Sequence, residues 1–240
     1  MRRALVTGGS GAIGAAICRA LASAGHHVFV HGHRNRDAAI SIAESIVATG
    51  GRAEPVVFDV ADADAVVAAL GTLVRTEPIQ ILVNNAGFAD DAPLVGMTRA
   101  QWHGVIDVIL HGFFNVTQPL LMPMIRSRWG RIVNVASVAA LVGNRGQANY
   151  AAAKAGMIAA AKSLAQEVAR KGITVNTVAP GIVDSPMARQ AFDEARVRAL
   201  VPMQRMGLPT EIASVVAFLA SDAASYISGE VISVNGGMVS

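Results

Sequence analysis

Seven short apolar runs, separated by longer stretches of helical pattern, constrain this chain more than any other feature. They are Ala4 to Val6, Val28 to Val30, Val56 to Phe58, Ile79 to Val83, Ile132 to Val135, Ile173 to Val178 and Val231 to Val234. Unbroken apolar runs of this length suit strands buried on both faces, which is the condition of a parallel sheet. Parallel neighbours need a long crossover, and the intervening stretches of ten or more residues supply helices for it. The expectation is an α/β fold, a doubly wound parallel sheet of seven strands with helices on both faces. No linker or change of composition splits the 240 residues, and Pro78, Pro93, Pro180 and Pro209 fall near element ends, where proline is tolerated. A single domain over residues 1–240 follows.

Composition narrows the setting. A chain of this size with 52% hydrophobic and 15% charged residues can fill a large core. Cys18 has no second cysteine to pair with, so it reads as a buried inert thiol in a reducing compartment. No apolar stretch reaches about 18 residues without a polar interruption, and the glycines from Gly8 onward break any leader-like segment. A cytoplasmic protein without a membrane partner is expected. The net charge is +3 and the pI near 9.5, but no Lys/Arg run or array of stacking aromatics accompanies it, so no nucleic-acid partner is expected.

The first run leads into Thr7-Gly8-Gly9-Ser10-Gly11-Ala12-Ile13-Gly14, after which Ile17 and Leu21 mark the apolar face of a helix. Strand, glycine loop and helix in that order let backbone N–H groups and the positive end of a helix dipole hold a pyrophosphate. Gly8, Ser10, Gly11, Ile13 and Gly14 are therefore assigned to a dinucleotide, and the sheet to the Rossmann type. The end of the second run reads Val30-His31-Gly32-His33-Arg34-Asn35 and offers no carboxylate to ribose hydroxyls. A permanently charged Arg34 suits a 2′-phosphate, with His33 as a further donor or a flank for the adenine, so NADPH is favoured over NADH. The alternative for Arg34 is a solvated loop cation. Asp59 and Val60 after the third run, and Asn85, Ala86 and Gly87 after the fourth, fall on the same rim and are assigned to the cofactor cleft, while Asn84 is assigned to support of the sheet. Pro180, Gly181, Ile182 and Ser185, at the turn after the sixth run, are placed to reach the nicotinamide carboxamide. Residues 186 to 206, rich in Met and Arg, form either a lid or a surface helix.

The candidate chemistry lies between Val135 and Lys154. Ser137 comes just past the carboxyl end of the fifth run, the edge at which open α/β sheets place their ligands. Asn149 to Arg170 is Ala-rich and nearly free of helix breakers, so Tyr150 and Lys154 fall at i and i+4 on one helix face. An ammonium near a phenol favours the phenolate and eases proton transfer at neutral pH. Ser137 would hold a substrate carbonyl by a hydrogen bond that strengthens as the oxygen becomes alkoxide-like, and Tyr150 would give or take the proton. No metal site is expected.

With these residues in order and at matching spacing, the chain resembles the short-chain dehydrogenase/reductase family over essentially its full length. The Thr7 to Gly14 loop, Asp59, Asn84 to Gly87, Ser137, Tyr150 with Lys154, and Pro180-Gly181 carry that resemblance. Within the family, the segments Gly143 to Gly156 and Gly172 to Gly181 are similar to those of 3-oxoacyl-[acyl-carrier-protein] reductases. Met122 to Ile125 and Asn144 to Gln147 are similar, more narrowly, to reductases attached to aryl-polyene or related pigment clusters. The resemblance implies NADPH-dependent reduction of a 3-oxoacyl thioester on acyl carrier protein to the 3-hydroxyacyl thioester, in fatty-acid or polyene-type synthesis, by a homotetramer. It implies that Ser137 polarises the keto oxygen, Tyr150 donates the proton, and Lys154 binds ribose hydroxyls while lowering the tyrosine pKa. It further implies a substrate role for Gln147 and a carrier-docking surface at Arg128 and Lys171, where cations complementing helix C-termini are the alternative. Helix 209 to 220, with Ile212, Val215, Val216 and Leu219 on one stripe, is expected to join subunits together with the last strand.

Two positions depart from the family pattern. Ala12 stands where the family usually has its middle glycine, adding a methyl near the pyrophosphate. Ile109 stands where the family carries a catalytic Asn that supports a water in a proton relay through Lys154. Slowed but real turnover is expected. The alternatives are a catalytically weak NADP-binding partner subunit and, among enzymes, an acetoacetyl-CoA or other small-ketone reductase.

Overall fold

The computed structural model describes residues 1–75 and 77–239, and its centre is one sheet of seven parallel strands. The strands are β1 (Arg3–Val6), β2 (His27–Gly32), β3 (Arg52–Val57), β4 (Ile81–Asn84), β5 (Gly130–Val135), β6 (Ile173–Pro180) and β7 (Val231–Val234), in the order β3-β2-β1-β4-β5-β6-β7 across the sheet. The direction of winding reverses between β1 and β4, and a crevice opens there at the carboxyl ends of the strands, where such sheets bind ligands. The helices are α1 (Ala12–Ser23), α2 (Arg36–Ala48), α3 (Ala63–Leu73), α4 (Arg99–Ile106), α5 (Gly112–Ser127), α6 (Ala139–Val142), α7 (Ala148–Val168), α8 (Pro186–Ala191), α9 (Glu194–Leu200) and α10 (Pro209–Leu219).

Successive strand residues point to opposite faces, and each face builds its own core. Ala4, Val6, Val28, Val83 and Val133 pack with Ile17 and Leu21 of α1, Ala43 and Ile46 of α2, and Ile212 and Val216 of α10. Leu5, Phe29, Leu82 and Ile132 pack with Val66 and Leu70 of α3, Val116 and Leu120 of α5, and Met157 and Ala161 of α7. At the carboxyl end of the sheet a buried amide chain crosses three strands: Asn84 Nδ2 donates to Asn134 Oδ1 (3.0 Å) and Thr117 Oγ1 (3.1 Å), and Asn134 Nδ2 donates to the Asn176 carbonyl (3.3 Å). Asn84 thus braces the sheet directly beneath the crevice.

Three expectations shift. β3 begins at Arg52 and ends before Phe58, because as an edge strand with mostly exposed side chains it needs no apolar run. Ile212, Val216 and Leu219 of α10 are fully buried against the chain's own core and so are not free to join subunits, while Val215 of the same stripe is partly buried; Phe218 and Tyr226 are among the large side chains left exposed nearby. Residues 186 to 206 form two short helices, α8 and α9, and not one. α4 and α5 run together through a π-helical turn at Asp107–His111. The resulting 29-residue helix, Arg99–Ser127, is long and apolar enough by length and composition to cross a bilayer. Its stripe of Val105, Ile109, Phe113, Val116, Leu120 and Met124 is instead core.

Candidate active site

The loop after β1 is held from both sides. Gly8 sits at φ +62° and donates its N–H to Nδ1 of His31 (3.0 Å), while Gly11 N–H folds back onto the Gly8 carbonyl (3.1 Å). Asn85 Nδ2 donates to the carbonyls of Thr7 (3.0 Å) and Gly8 (3.1 Å), and the N–H groups of Asn85 and Ala86 both donate to Thr7 Oγ1 at 3.0 Å. Space dictates Gly14: a Cβ there would stand 2.1 Å from the Gly8 carbonyl oxygen. Gly9 is hemmed by Cys18 Sγ and Val30 Cγ1, each 3.1 Å from where its Cβ would be. Burial pushes the Cys18 thiol up to about 12, the condition of an inert packing residue.

α2, α3 and α4 are capped by the side chains of Asn35, Asp62 and Thr98, whereas α1 starts behind Gly11 with no side-chain cap and no acidic residue in its first turn. The first N–H groups of a helix have no acceptor within it, so this start behind a tight glycine loop fits a phosphate. Ala12, the first residue of α1, is exposed, and its methyl displaces nothing in the chain. Next along the rim, His33 Nε2 lies 3.6 Å from the Asp59 carboxylate, which also accepts the Ala61 N–H (2.9 Å). Arg34 is exposed beside them. Val60 is buried, and its carbonyl accepts from Asn115 Nδ2 (2.9 Å). These groups line the rim where the adenosine end of a dinucleotide would lie.

Backbone bonds draw the other half of the site together. Val138 N–H donates to the Pro180 carbonyl and Gly181 N–H to the Val234 carbonyl, each at 3.0 Å, which sets Ser137 beside the Pro180 to Ile182 turn. Ser185 Oγ caps α8 by accepting from Ala188 N–H (3.1 Å). Tyr150 projects from the first turn of α7, its phenol close enough to the Ser137 hydroxyl to be influenced by it. Burial raises the Tyr150 phenol above its ordinary value; the nearby Ser137 hydroxyl opposes that rise, and the Asp91 carboxylate adds to it. Lys154 is buried, and burial pushes its ammonium down to about 8. The i,i+4 spacing predicts a phenol lowered by Lys154, but here the shift runs upward. Lys154 Nζ donates to the Val135 carbonyl (2.6 Å) and lies 5.8 Å from the centre of the Tyr150 ring, so desolvation prevails over the charge. A phenol kept protonated at neutral pH is a proton donor.

Ile109 occupies the π turn and is buried against the same corner. A Cβ on Gly87 would stand 3.2 Å from Ile109 Cγ1 and 3.4 Å from Lys154 Nζ, so the two side chains flank one glycine. A cavity of about 10 Å³, lined by Thr7, Asn84, Val108 and Ile109 among others, lies beside Ile109 and has room for about one water.

Gln147 lies at the mouth, donating from Nε2 to Asp91 Oδ2 (2.8 Å) and accepting from Asn144 Nδ2 (2.9 Å). Asn149 locks the start of α7: its Nδ2 donates to the carbonyls of Asp90 and Gln101, both at 3.0 Å, and its Oδ1 accepts the Tyr150 N–H (2.8 Å). Sequence reasoning singles out neither Asn149 nor Asp91, because each finds its partners some fifty residues away in the chain. Arg128 and Lys171 are neighbours of one another but not of this mouth. Arg128 donates to the Arg170 carbonyl (3.4 Å), at the amino ends of β5 and β6.

Residues 8–239 match a family model described as Enoyl-(Acyl carrier protein) reductase. The chain belongs to the short-chain dehydrogenase/reductase family. Among its relatives, Nodulation protein G of Rhizobium sp. (strain N33) is 45% identical over 99% of this chain and 96% of its own length. The 3-oxoacyl-[acyl-carrier-protein] reductase FabG of Staphylococcus aureus (strain Mu50) is 45% identical over 99% of this chain and 98% of its own. A solved structure described as a putative gluconate dehydrogenase from Agrobacterium tumefaciens superposes with a TM-score of 0.95 at 32% identity, covering 99% of this chain and 95% of that one. The family assignment thus agrees with the glycine loop, the Ser137–Tyr150–Lys154 group and the sheet order.

Proposed function

We propose that this chain is an NADPH-dependent 3-oxoacyl-[acyl-carrier-protein] reductase acting in fatty-acid or polyene-type synthesis. One observation carries the reading: Ser137, Tyr150 and Lys154 meet at the carboxyl edge of β5 and β6 in a chain 45% identical, end to end, to the Staphylococcus aureus reductase. The uncapped start of α1 holds the pyrophosphate, Arg34 and His33 take the 2′-phosphate end, and Lys154, with donors beyond the one spent on Val135, takes ribose hydroxyls. NADPH, when bound, supplies a hydride to the keto carbon. Ser137 and Tyr150 hold the keto oxygen between two hydroxyls, and as negative charge gathers there the Tyr150 proton moves onto it. The raised pKa of Tyr150 keeps the phenol protonated at neutral pH, the form in which it can donate to the oxygen. Gln147, steadied by Asp91, borders the substrate. The carrier protein docks through Arg128 and Lys171, the enzyme works in the cytoplasm, and Phe218 and Tyr226 mark a surface for assembly into a homotetramer.

Two specific observations keep other readings in play. The likeness to a putative gluconate dehydrogenase favours a small ketone without a carrier. Ile109 beside Lys154 favours a catalytically weak NADP-binding subunit. NADPH oxidation with a 3-oxoacyl thioester on acyl carrier protein, run beside the matching CoA thioester for wild type and Tyr150→Phe, separates all three. Carrier-preferring turnover that falls by about 10² or more in Tyr150→Phe is the expected result. Equal use of the CoA thioester would favour the small-ketone reading, and NADPH binding without turnover the weak subunit.

A further inference from the structure

We propose that His31 is a positioning residue for the dinucleotide, riveting the glycine loop after β1 to the end of β3; the inference rests on the dinucleotide reading above. His31 stands at the carboxyl end of β2 and is 1% exposed. It shares its strand face with Phe29, two residues earlier, which packs into the apolar core. A polar group there is tolerated only if its hydrogen bonds are made, and both are. Nδ1 accepts the Gly8 N–H at 3.0 Å, and Nε2 lies 2.9 Å from the Phe58 carbonyl. An N–H can only donate and a carbonyl can only accept, so the partners fix one tautomer, with the proton on Nε2. The ring also packs on Phe58, with centroids 4.1 Å apart.

Each arm ends at a part of the proposed cofactor seat. Gly8 is the left-handed residue of the loop, and its carbonyl is the atom against which Gly14 closes and onto which Gly11 and Asn85 bond. Phe58 immediately precedes Asp59, whose carboxylate meets His33. One imidazole therefore sets the spacing between the pyrophosphate loop and the adenosine rim. Burial keeps it neutral, the form in which the two arms can coexist. An apolar residue would fill the space but leave Gly8 N–H and the Phe58 carbonyl without these partners.

The test compares His31→Leu, His31→Asn and a core truncation on α3, Leu70→Ala, by calorimetric Kd for NADPH and for 2′,5′-ADP, by Tm without cofactor, and by steady-state kinetics. His31→Leu is expected to raise both Kd values about tenfold in parallel, and to raise KM for NADPH while kcat at saturating NADPH and KM for the thioester stay put. Asparagine places an amide oxygen close to where Nδ1 stands, so His31→Asn should recover most of the affinity. Leu70→Ala should lower Tm with Kd unchanged, separating stability from positioning. A Kd for His31→Leu within about twofold of wild type would overturn the inference, as would an asparagine variant no tighter than the leucine one. Failure of wild type itself to bind NADPH would instead overturn the dinucleotide reading.

Discussion

A buried ammonium whose one hydrogen bond to the chain ends on a carbonyl is expensive to keep, and Lys154 is such a group. Its folded pKa of about 8 lies below the ordinary 10.5, so between those values the unfolded chain binds more protons than the folded one. Stability therefore rises with pH across that window, and below it the folded state carries the full penalty, about 3 kcal/mol. Lys154→Met should abolish turnover yet raise the cofactor-free Tm at pH 7, with the gain shrinking toward pH 10; a Tm lowered at pH 7 would show that the Val135 contact outweighs the burial. Ile109 makes a second residue-scale prediction. An amide in its place would put a polar group at the one-water cavity, across Gly87 from Lys154, so Ile109→Asn should raise kcat by on the order of tenfold, a fraction of what a full proton-transfer group supplies. Equal or lower kcat would remove Ile109 as the weak point. Ser137, Tyr150 and Lys154 are legible in the sequence because a strand end and one helix turn fix their relation locally. The direction of the Tyr150 shift is not, because it depends on burial and on Asp91, fifty-nine positions earlier in the chain.

At the scale of elements, the unit of strand, loop and helix at the start of the chain depends on one close approach. Gly14→Ala would place a methyl carbon 2.1 Å from the Gly8 carbonyl oxygen, a backbone atom that cannot swing aside. Separating α1 from the loop should cost about 1–3 kcal/mol and weaken NADPH far more than the thioester; unchanged Kd for NADPH would show that the loop is not the phosphate seat. This unit is readable from sequence because glycine spacing reports backbone proximity directly. Central strands are readable for a similar reason: β1, β4, β5 and β6 are buried on both faces and so are mostly apolar, with buried polar residues such as Asn84 and Asn134 satisfied by hydrogen bonds. β3 escapes that logic, since an edge strand shows only Val56 and Val57 of its six residues as an apolar run and pairs its Arg52 with His27 through backbone alone. The α10 stripe illustrates the converse ambiguity. Ile212, Val216 and Leu219 repeat at helical spacing whether they face another subunit or the chain's own sheet, and only the three-dimensional packing against α1 decides.

The whole molecule separates its chemistry from its cationic surface. β5 runs from Gly130, just past Arg128, to Val135, just before Ser137, so the two lie at opposite ends of the sheet, roughly 20 Å apart along the strand. Arg128 and Lys171 lie close together because the turn at Gly172 folds onto Arg128, whose carbonyl is 2.4 Å from where a Gly172 Cβ would stand. With Arg126 and Arg170 they gather positive charge in a protein of net charge +3. An acidic carrier would be steered to such a patch by long-range attraction that salt screens. Arg128 also ends α5 in the left-handed region, at φ +51°, a conformation that glycine adopts without strain, so Arg128→Gly removes the charge and relieves the backbone together. Arg128→Gly and Arg128→Glu should both raise KM for the carrier-bound thioester, the reversal more than the deletion, and both should flatten its dependence on ionic strength. Neither should touch the kinetics of the CoA thioester, which never meets the patch. If carrier kinetics were indifferent to both changes while Arg128→Gly raised Tm, the cations would be serving helix C-termini and the carrier would dock elsewhere.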